Sequence, residues 1–388
     1  MATTEAQEHE SMIREGVAEL CKQFPGEYWR ELDREQAYPT EFVRRLSEDG
    51  WLGALIPEEY GGGGLSESDA AIILEEINHQ GCNAGACHAQ MYIMGTVLRH
   101  GSDEQKATYL PGIASGDIRL QAFGVTEPDA GSNTLAIRTR AVQQDDGSWV
   151  VDGQKIWTSR FFHSDMMLLL ARTSEPVEGK PKWWGLSTFL VDLREADGAI
   201  EAKEIRTMMN HATCEVFIKN LKLPAEALVG EEGMGFRYIL DGMNAERILI
   251  AAECVGDGRW FIEKGAAYAS EREVFGKKIG SNQGVQFPLA RAHAAVEAAD
   301  LMRRRASELF EAGEPCGAEG NMAKLLASEA SWQAANACLD AHGGFGFAEE
   351  YDIERKFRET RLYMTAPINN NLVLAFLGQH VLKMPRSY

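Results

Sequence analysis

The chain has 388 residues, 45% of them hydrophobic, enough for a large core spread over two or three layers or lobes. Against 39 Lys and Arg stand 58 Asp and Glu, and the resulting formal charge of -19 repels nucleic acid and anionic lipid. Seven cysteines, odd in number and without a C-x-x-C, and nine histidines never at ligand spacing argue against disulfides and a metal site.

In chain order, "MATTEAQEHE" has neither a basic n-region nor an apolar h-region, so no signal peptide and a cytoplasmic location are expected. "EHESMIREGVAELCKQF", "TEFVRRLSEDG", "SESDAAIILEEINHQ" and "DEQKATYL" carry apolar residues at three and four spacing and predict helices, with Ser and Asp at caps. "GGGG" at 61–64 has no Lys-Ser/Thr after it and reads as a tight turn. From about residue 118 the segments "SWVVDGQKIW", "DMMLLLARTS", "LSTFLVDL" and "CEVFIKNLKLP" predict strands of an antiparallel sheet. "MMLLLA" at 166–171 is too short to span a bilayer, and no membrane span is expected. After "GEEGMGF" the helical period returns in Ala-rich segments and lasts to the end. The expected organisation is α+β: a helical domain over 1–119, a β domain over 120–232 and a helical bundle over 233–388.

Four stretches could carry chemistry. In "FGVTEPDAGSN", Phe123 to Asn133, glycine beside hydroxyls lets backbone N–H groups approach a phosphate or a polar ring edge, though such loops often only connect strands. "KIWTSR", Lys155 to Arg160, places Trp157 beside Thr158 and Ser159; standing alone, that tryptophan reads as a core aromatic. "REVFGKKIGSNQ" spaces Arg272, Phe275 and Gln283 regularly. In "GMNAERILIAAECVG", steps of three and four through Ile239, Met243, Glu246, Ile250 and Cys254 put a carboxylate on an apolar stripe. Burying a carboxylate costs several kcal/mol, of order 3–5, when it stands unpaired. That position is therefore either a structural ion pair or a working group.

With "HGGFGF" from His342 and "ERKFRETR" from Glu354 added, the whole chain resembles the acyl-CoA dehydrogenase family, from "IPEEYGGGG" through "DEQKATYLP" to the last helix. The resemblance implies an N-terminal helical domain, a middle β-barrel-like domain and a C-terminal four-helix bundle, in a homotetramer with FAD. It implies that Phe123, Val125, Thr126, Gly131 and Ser132 line the flavin and its pyrophosphate, and that Trp157, Thr158 and Ser159 sit against the ring. Arg272, Phe275, Gln283 and Gly343-Gly344 are expected to reach a neighbouring subunit's FAD; Asn369 and Asn371 complete the cofactor set. Asp340 departs from the family, whose members usually carry Gln there. Substrate contacts are expected from Ser132, Asn244, Arg247 and, in "CHAQMYIMG", Met91 and Met94.

The family removes an α-proton from an acyl-CoA thioester while the β-carbon gives hydride to flavin N5, and passes the electrons to an electron-transfer flavoprotein. Most members carry the base in a C-terminal E-G-T motif. Here that stretch is "YMTAPINNN", with Pro367 in its place and no N–H to hold the thioester oxygen. "NAERILIA" resembles instead the isovaleryl-CoA and long-chain type, whose base lies on another helix, which makes Glu246 the expected base. Two alternatives stay open: a non-oxidative, desulfinase-like reaction on a CoA thioester, and a flavin- and CoA-binding partner protein without turnover.

Overall fold

The structure is a computed structural model that describes residues 2–196 and 198–386. Six helices lead: α1 (Ala2–Cys21), α2 (Gly26–Glu35), α3 (Thr40–Glu48), α4 (Glu67–His79), α5 (Gly85–His100) and α6 (Asp103–Ser115). Eight strands follow: β1 (Leu120–Gly124), β2 (Arg140–Gln143), β3 (Trp149–Ser159), β4 (Met166–Arg172), β5 (Leu186–Asp192), β6 (Ile200–Ile205), β7 (Thr213–Leu223) and β8 (Leu228–Val229). Then come α7 (Gly235–Glu271), a hairpin of β9 (Glu273–Val274) and β10 (Lys277–Lys278), α8 (Gln283–Glu311), α9 (Gly317–His342), α10 (Ile353–Arg361) and α11 (Asn370–Phe376). Helix starts obey local chemistry: Ser66 and Ser102 each close a capping box with the residue three places on, Asp69 and Gln105. The four glycines form a turn, with Gly61 and Gly64 at positive φ; a Cβ on Gly62 would lie 2.2 Å from the Ile56 carbonyl oxygen.

These elements form two compact units that interleave in sequence, one of residues up to Glu35, Ser66–His88 and Asn244 onward, the other of Gln36–Leu65 and Ala89–Met243. The second unit holds the eight-stranded sheet, ordered β6-β7-β3-β2-β4-β5-β8 with β1 also on β4. The four segments expected as strands pair antiparallel, β3 with β7 and β4 with β5, but the sheet as a whole is mixed. β1 runs parallel to β4, and β2 meets β4 in parallel at Arg140 and Arg172, while the remaining pairs are antiparallel. The physical reason lies in β4, a continuous apolar run of the kind a strand covered on both faces shows. Its alternate residues serve two cores. Met167 and Leu169 join Trp149, Val151, Phe189 and Val216, whereas Met166 and Leu168 pack with Ile93, Met94 and Val97 of α5 and Leu110 and Ile113 of α6.

In the first unit Trp260 and Phe261 of α7 pack on Ala292 of α8 and on Ala334, Ala335 and Cys338 of α9. Gly256 allows α7 to meet α4 closely, since a Cβ there would lie 2.1 Å from the Glu75 carbonyl oxygen. A buried ion network ties the helices: Glu75 meets Arg14 at 3.0 Å and Arg259, and Asp300 meets Arg303 at 2.6 Å and Arg304 at 3.1 Å. All seven cysteines are free and buried. Among the described residues no helix is long and apolar enough to cross a membrane.

Candidate active site

Four of the five stripe residues on α7, Ile239, Glu246, Ile250 and Cys254, are buried, Glu246 to 5% exposure, and Met243 is half-buried. Among the described residues no hydrogen bond reaches the Glu246 carboxylate. Burial pushes its pKa up to about 7, and only the charges of His88 and Arg247 pull it back. Arg247 donates from Nη1 to Asn244 Oδ1 at 3.1 Å, while its Nε–H is buried without a partner. Burial lowers the pKa of this guanidinium too, against the opposing pull of Glu246 and Cys316. Glu253 stands seven residues beyond Glu246, in contact with His88 and accepting from the Tyr363 hydroxyl at 2.8 Å. The segment around Pro367 is held by Lys324, which donates to the Ile368 carbonyl at 2.7 Å and to Asn370 Oδ1 at 2.6 Å. Burial lowers the Lys324 pKa to about 8.

In the sheet unit, the loop after β1 is fastened to β3. Lys155, fully buried, donates to the Val125 carbonyl at 3.1 Å and to Glu127 Oε1 at 2.9 Å, and Ile156 N donates to the Thr126 carbonyl at 2.9 Å. Glu127 accepts as well from Arg138 N at 2.6 Å, Thr139 N at 2.9 Å and Thr139 Oγ1 at 2.6 Å. Gly131 and Ser132 lie exposed at the loop tip. One strand over, the β3–β7 register slips between Ile156 and Thr158, and Trp157 sits at φ 62°. A positive φ is a genuine outlier for so bulky a residue, and a bulge of this kind re-aims a side chain. Trp157 is 55% exposed as a result, so the core reading of it alone does not hold. Beside it Thr158 Oγ1 is buried with no partner, and Ser159 Oγ donates to Thr213 Oγ1 at 3.4 Å. An uncovered indole, an orphan hydroxyl and a pinned loop of glycine and hydroxyls fit the edge and face of a flavin.

The remaining expected residues fall as follows. Arg272 closes α7 with its guanidinium 5.7 Å from the Phe345 ring centroid, which brings it to the turn of Gly343 and Gly344 after α9. Neither of those glycines has any atom within 4 Å of where a Cβ would stand, so backbone is open to an approaching group. Phe275, at φ 52° on the β9–β10 hairpin, is completely uncovered at 101% exposure. Gln283 opens α8 and Asp340 lies near the end of α9, both exposed. Asn369 caps α11 by accepting from Leu372 N at 3.0 Å, and Asn371 is exposed. Met91 and Met94 are buried, Met94 within the α5–α6 core. Sequence reasoning did not single out His88, Glu253, Tyr363, Lys324, Lys155 or Glu127. Glu253 had a signal, since it repeats the position of Glu246 on the stripe two turns later.

Taken separately, the helical unit offers a buried carboxylate without a donor, and the sheet unit an exposed indole, an orphaned hydroxyl and a polar loop of the kind that suits a planar flavin ring. The family models for the N-terminal, middle and C-terminal domains of acyl-CoA dehydrogenase match residues 7–117, 122–221 and 233–369. The chain belongs to the acyl-CoA dehydrogenase family. It is 34% identical over 384 residues to acyl-CoA dehydrogenase fadE12 of Mycobacterium bovis, covering 98% of each chain. It is 33% identical over 383 residues to cyclohex-1-ene-1-carbonyl-CoA dehydrogenase of Syntrophus aciditrophicus, covering 97% of this chain and 91% of that one. The solved glutaryl-CoA dehydrogenase in complex with glutaryl-CoA superimposes with a TM-score of 0.89 at 29% identity, over 98% of this chain and 96% of that one. The protein is an FAD enzyme that dehydrogenates acyl-CoA thioesters.

Proposed function

We propose that Glu246 is the base that takes the α-proton of the acyl-CoA. The observation that carries this is its state: buried on an apolar stripe, without a hydrogen bond among the described residues, and with a proton affinity brought to about 7 by burial. A base for a weak carbon acid works best with a pKa near the operating pH. Bound FAD supplies the acceptor for the β-hydride. Phe123, Val125, Thr126, Gly131, Ser132, Trp157, Thr158 and Ser159 are assigned to hold it, with Arg272, Phe275, Gln283, Asp340, Gly343, Gly344, Asn369 and Asn371. The uncovered Phe275 and the open glycine turn support a second copy of the chain as the neighbour of this group, in a homotetramer. Ser132, Asn244, Arg247, Met91 and Met94 are assigned to the substrate. An electron-transfer flavoprotein as acceptor, a cytoplasmic setting and domains of 1–119, 120–232 and 233–388 complete the reading. The relatives named above are dehydrogenases, which favours oxidation over the desulfinase-like and the non-catalytic alternatives.

The test is Glu246→Gln, which keeps size and removes the acceptor. FAD content should be unchanged, while reduction of the flavin by acyl-CoA should fall ~10²–10⁴-fold. An unchanged reduction rate in the FAD-loaded variant would sink the assignment.

A further inference from the structure

The turn after α9 is built on a cluster of rings. His342, the last residue of α9, stacks on Tyr268 of α7, with centroids 4.1 Å apart and planes 23° apart. Its Nδ1 lies 2.8 Å from the Cys338 carbonyl oxygen, which fixes the imidazole from behind. Tyr351 closes the group edge-on, 6.3 Å from Tyr268 and 5.9 Å from His342. Phe345 leans on Tyr351 at 5.4 Å, and its ring stays 43% exposed. Gly346 seats the turn, since a Cβ there would lie 2.7 Å from Leu339 Cδ1, and Ala348 N donates to the Phe345 carbonyl at 3.2 Å. An exposed ring backed in this way is a platform.

Arg272 lies over that platform, its guanidinium carbon 5.7 Å from the Phe345 centroid. Its backbone is held on both sides: the N–H donates to the Tyr268 carbonyl at 2.9 Å, and the carbonyl accepts from Ile279 N at 2.9 Å. The adjacent acid, Glu273, pairs instead with Lys278 at 3.0 Å. Among the described residues no carboxylate lies within ion-pair distance of Arg272, although the chain carries 58 acidic residues against 39 basic ones. A guanidinium laid on a ring presents its face there, and its N–H edge stays free for bidentate contact with a phosphate. Pairing with a carboxylate would occupy that edge.

We infer that Phe345 is a positioning residue for Arg272: its ring, backed by Tyr268, His342 and Tyr351, holds the guanidinium clear of the chain's own carboxylates, with its N–H edge open to the pyrophosphate of FAD. The inference rests on the assignment of Arg272 to the cofactor. The open backbone of Gly343 and Gly344 immediately precedes the platform, so the same turn offers an anion both a cation and unhindered main chain.

The experiment is release of FAD from the holoenzyme after dilution, read as recovery of free-flavin fluorescence, in a double-mutant cycle of Arg272→Met and Phe345→Leu. Arg272→Met should speed release about tenfold or more, the scale for losing hydrogen bonds to a charged group. Phe345→Leu should speed it roughly 2–5-fold, as expected for an exposed cation–π contact. In the Arg272→Met background the same change at Phe345 should add nothing. Phe345→Tyr, which keeps the ring, should release flavin as the wild type does. Should Phe345→Leu fail to fold or to load FAD, Phe345→Met takes its place in the cycle with the same expectation. Equal acceleration in both backgrounds would overturn the inference, because the ring would then act only by packing the turn. Release unchanged by Phe345→Leu in the wild-type background would overturn it as well. Release unchanged by Arg272→Met would instead remove the assignment of Arg272 to the cofactor, and the role of Phe345 with it.

Discussion

Two buried glutamates in this molecule have opposite proton affinities. Glu127, in the sheet unit, accepts four hydrogen bonds from Lys155, Thr139 and the backbone, and the Lys155 charge and those donors hold its pKa below the ordinary value against burial. Glu246, in the helical unit, has no donor among the described residues, and burial carries it to about 7. Burial alone therefore says nothing about role. The partners decide it: a saturated carboxylate fixes a loop, and a bare one is available to a proton from carbon.

The largest expected break in this contrast comes from Lys155→Met. Removing one member of a buried pair leaves a stranded charge, and unfolding in urea should show a loss of about 3–5 kcal/mol together with loosened FAD binding by the Val125–Ser132 loop. Glu246→Met should do the reverse, with stability at pH 8 rising by on the order of 2 kcal/mol, because the cost of ionising a buried carboxyl disappears. The signs against pH follow. Glu246, with its pKa raised, contributes stability that is full below about 4.5 and lost as pH rises through about 7, so the advantage of Glu246→Met should grow across that window. Glu127, with its pKa lowered, contributes stability that is present above about 4.5 and lost on acidification, so the penalty of Lys155→Met should shrink below that pH. If the two variants shift stability in the same direction at pH 8, the contrast fails. The smallest expected effect is Thr139→Val, isosteric and short of one donor to Glu127, at about 1 kcal/mol by the same urea measurement. Indifference to it would mean that the remaining three donors already saturate the carboxylate.

Much of this was legible in the sequence. The stripe that contains Glu246 follows from helical period alone, and the capping serines mark the starts of α4 and α6 as written. The exposure of Trp157 was not legible in the residues themselves, because a one-residue bulge leaves no trace in composition: "KIWT" reads the same whether the indole turns in or out. The parallel pairing of β1 with β4 was illegible for another reason. Local pattern identifies a strand but not its distant neighbour, and Met166, the partner of Leu120, lies 46 positions further along the chain. The His88–Glu253–Tyr363 cluster draws on three separated segments, so only Glu253, repeating the stripe, could have been suspected beforehand.

The seven buried thiols have a practical consequence. A small alkylating reagent should meet no accessible sulfur while the native structure is closed, so each cysteine it does modify marks a moment when that neighbourhood opened. Cys214 reports on the sheet and Cys338 on the α7–α9 packing, while Cys254 lies on the stripe that carries Glu246. Timed labelling followed by peptide mapping would thus turn the wild-type chain into its own opening gauge, with no engineered probe, and would rank the breathing of these regions against one another.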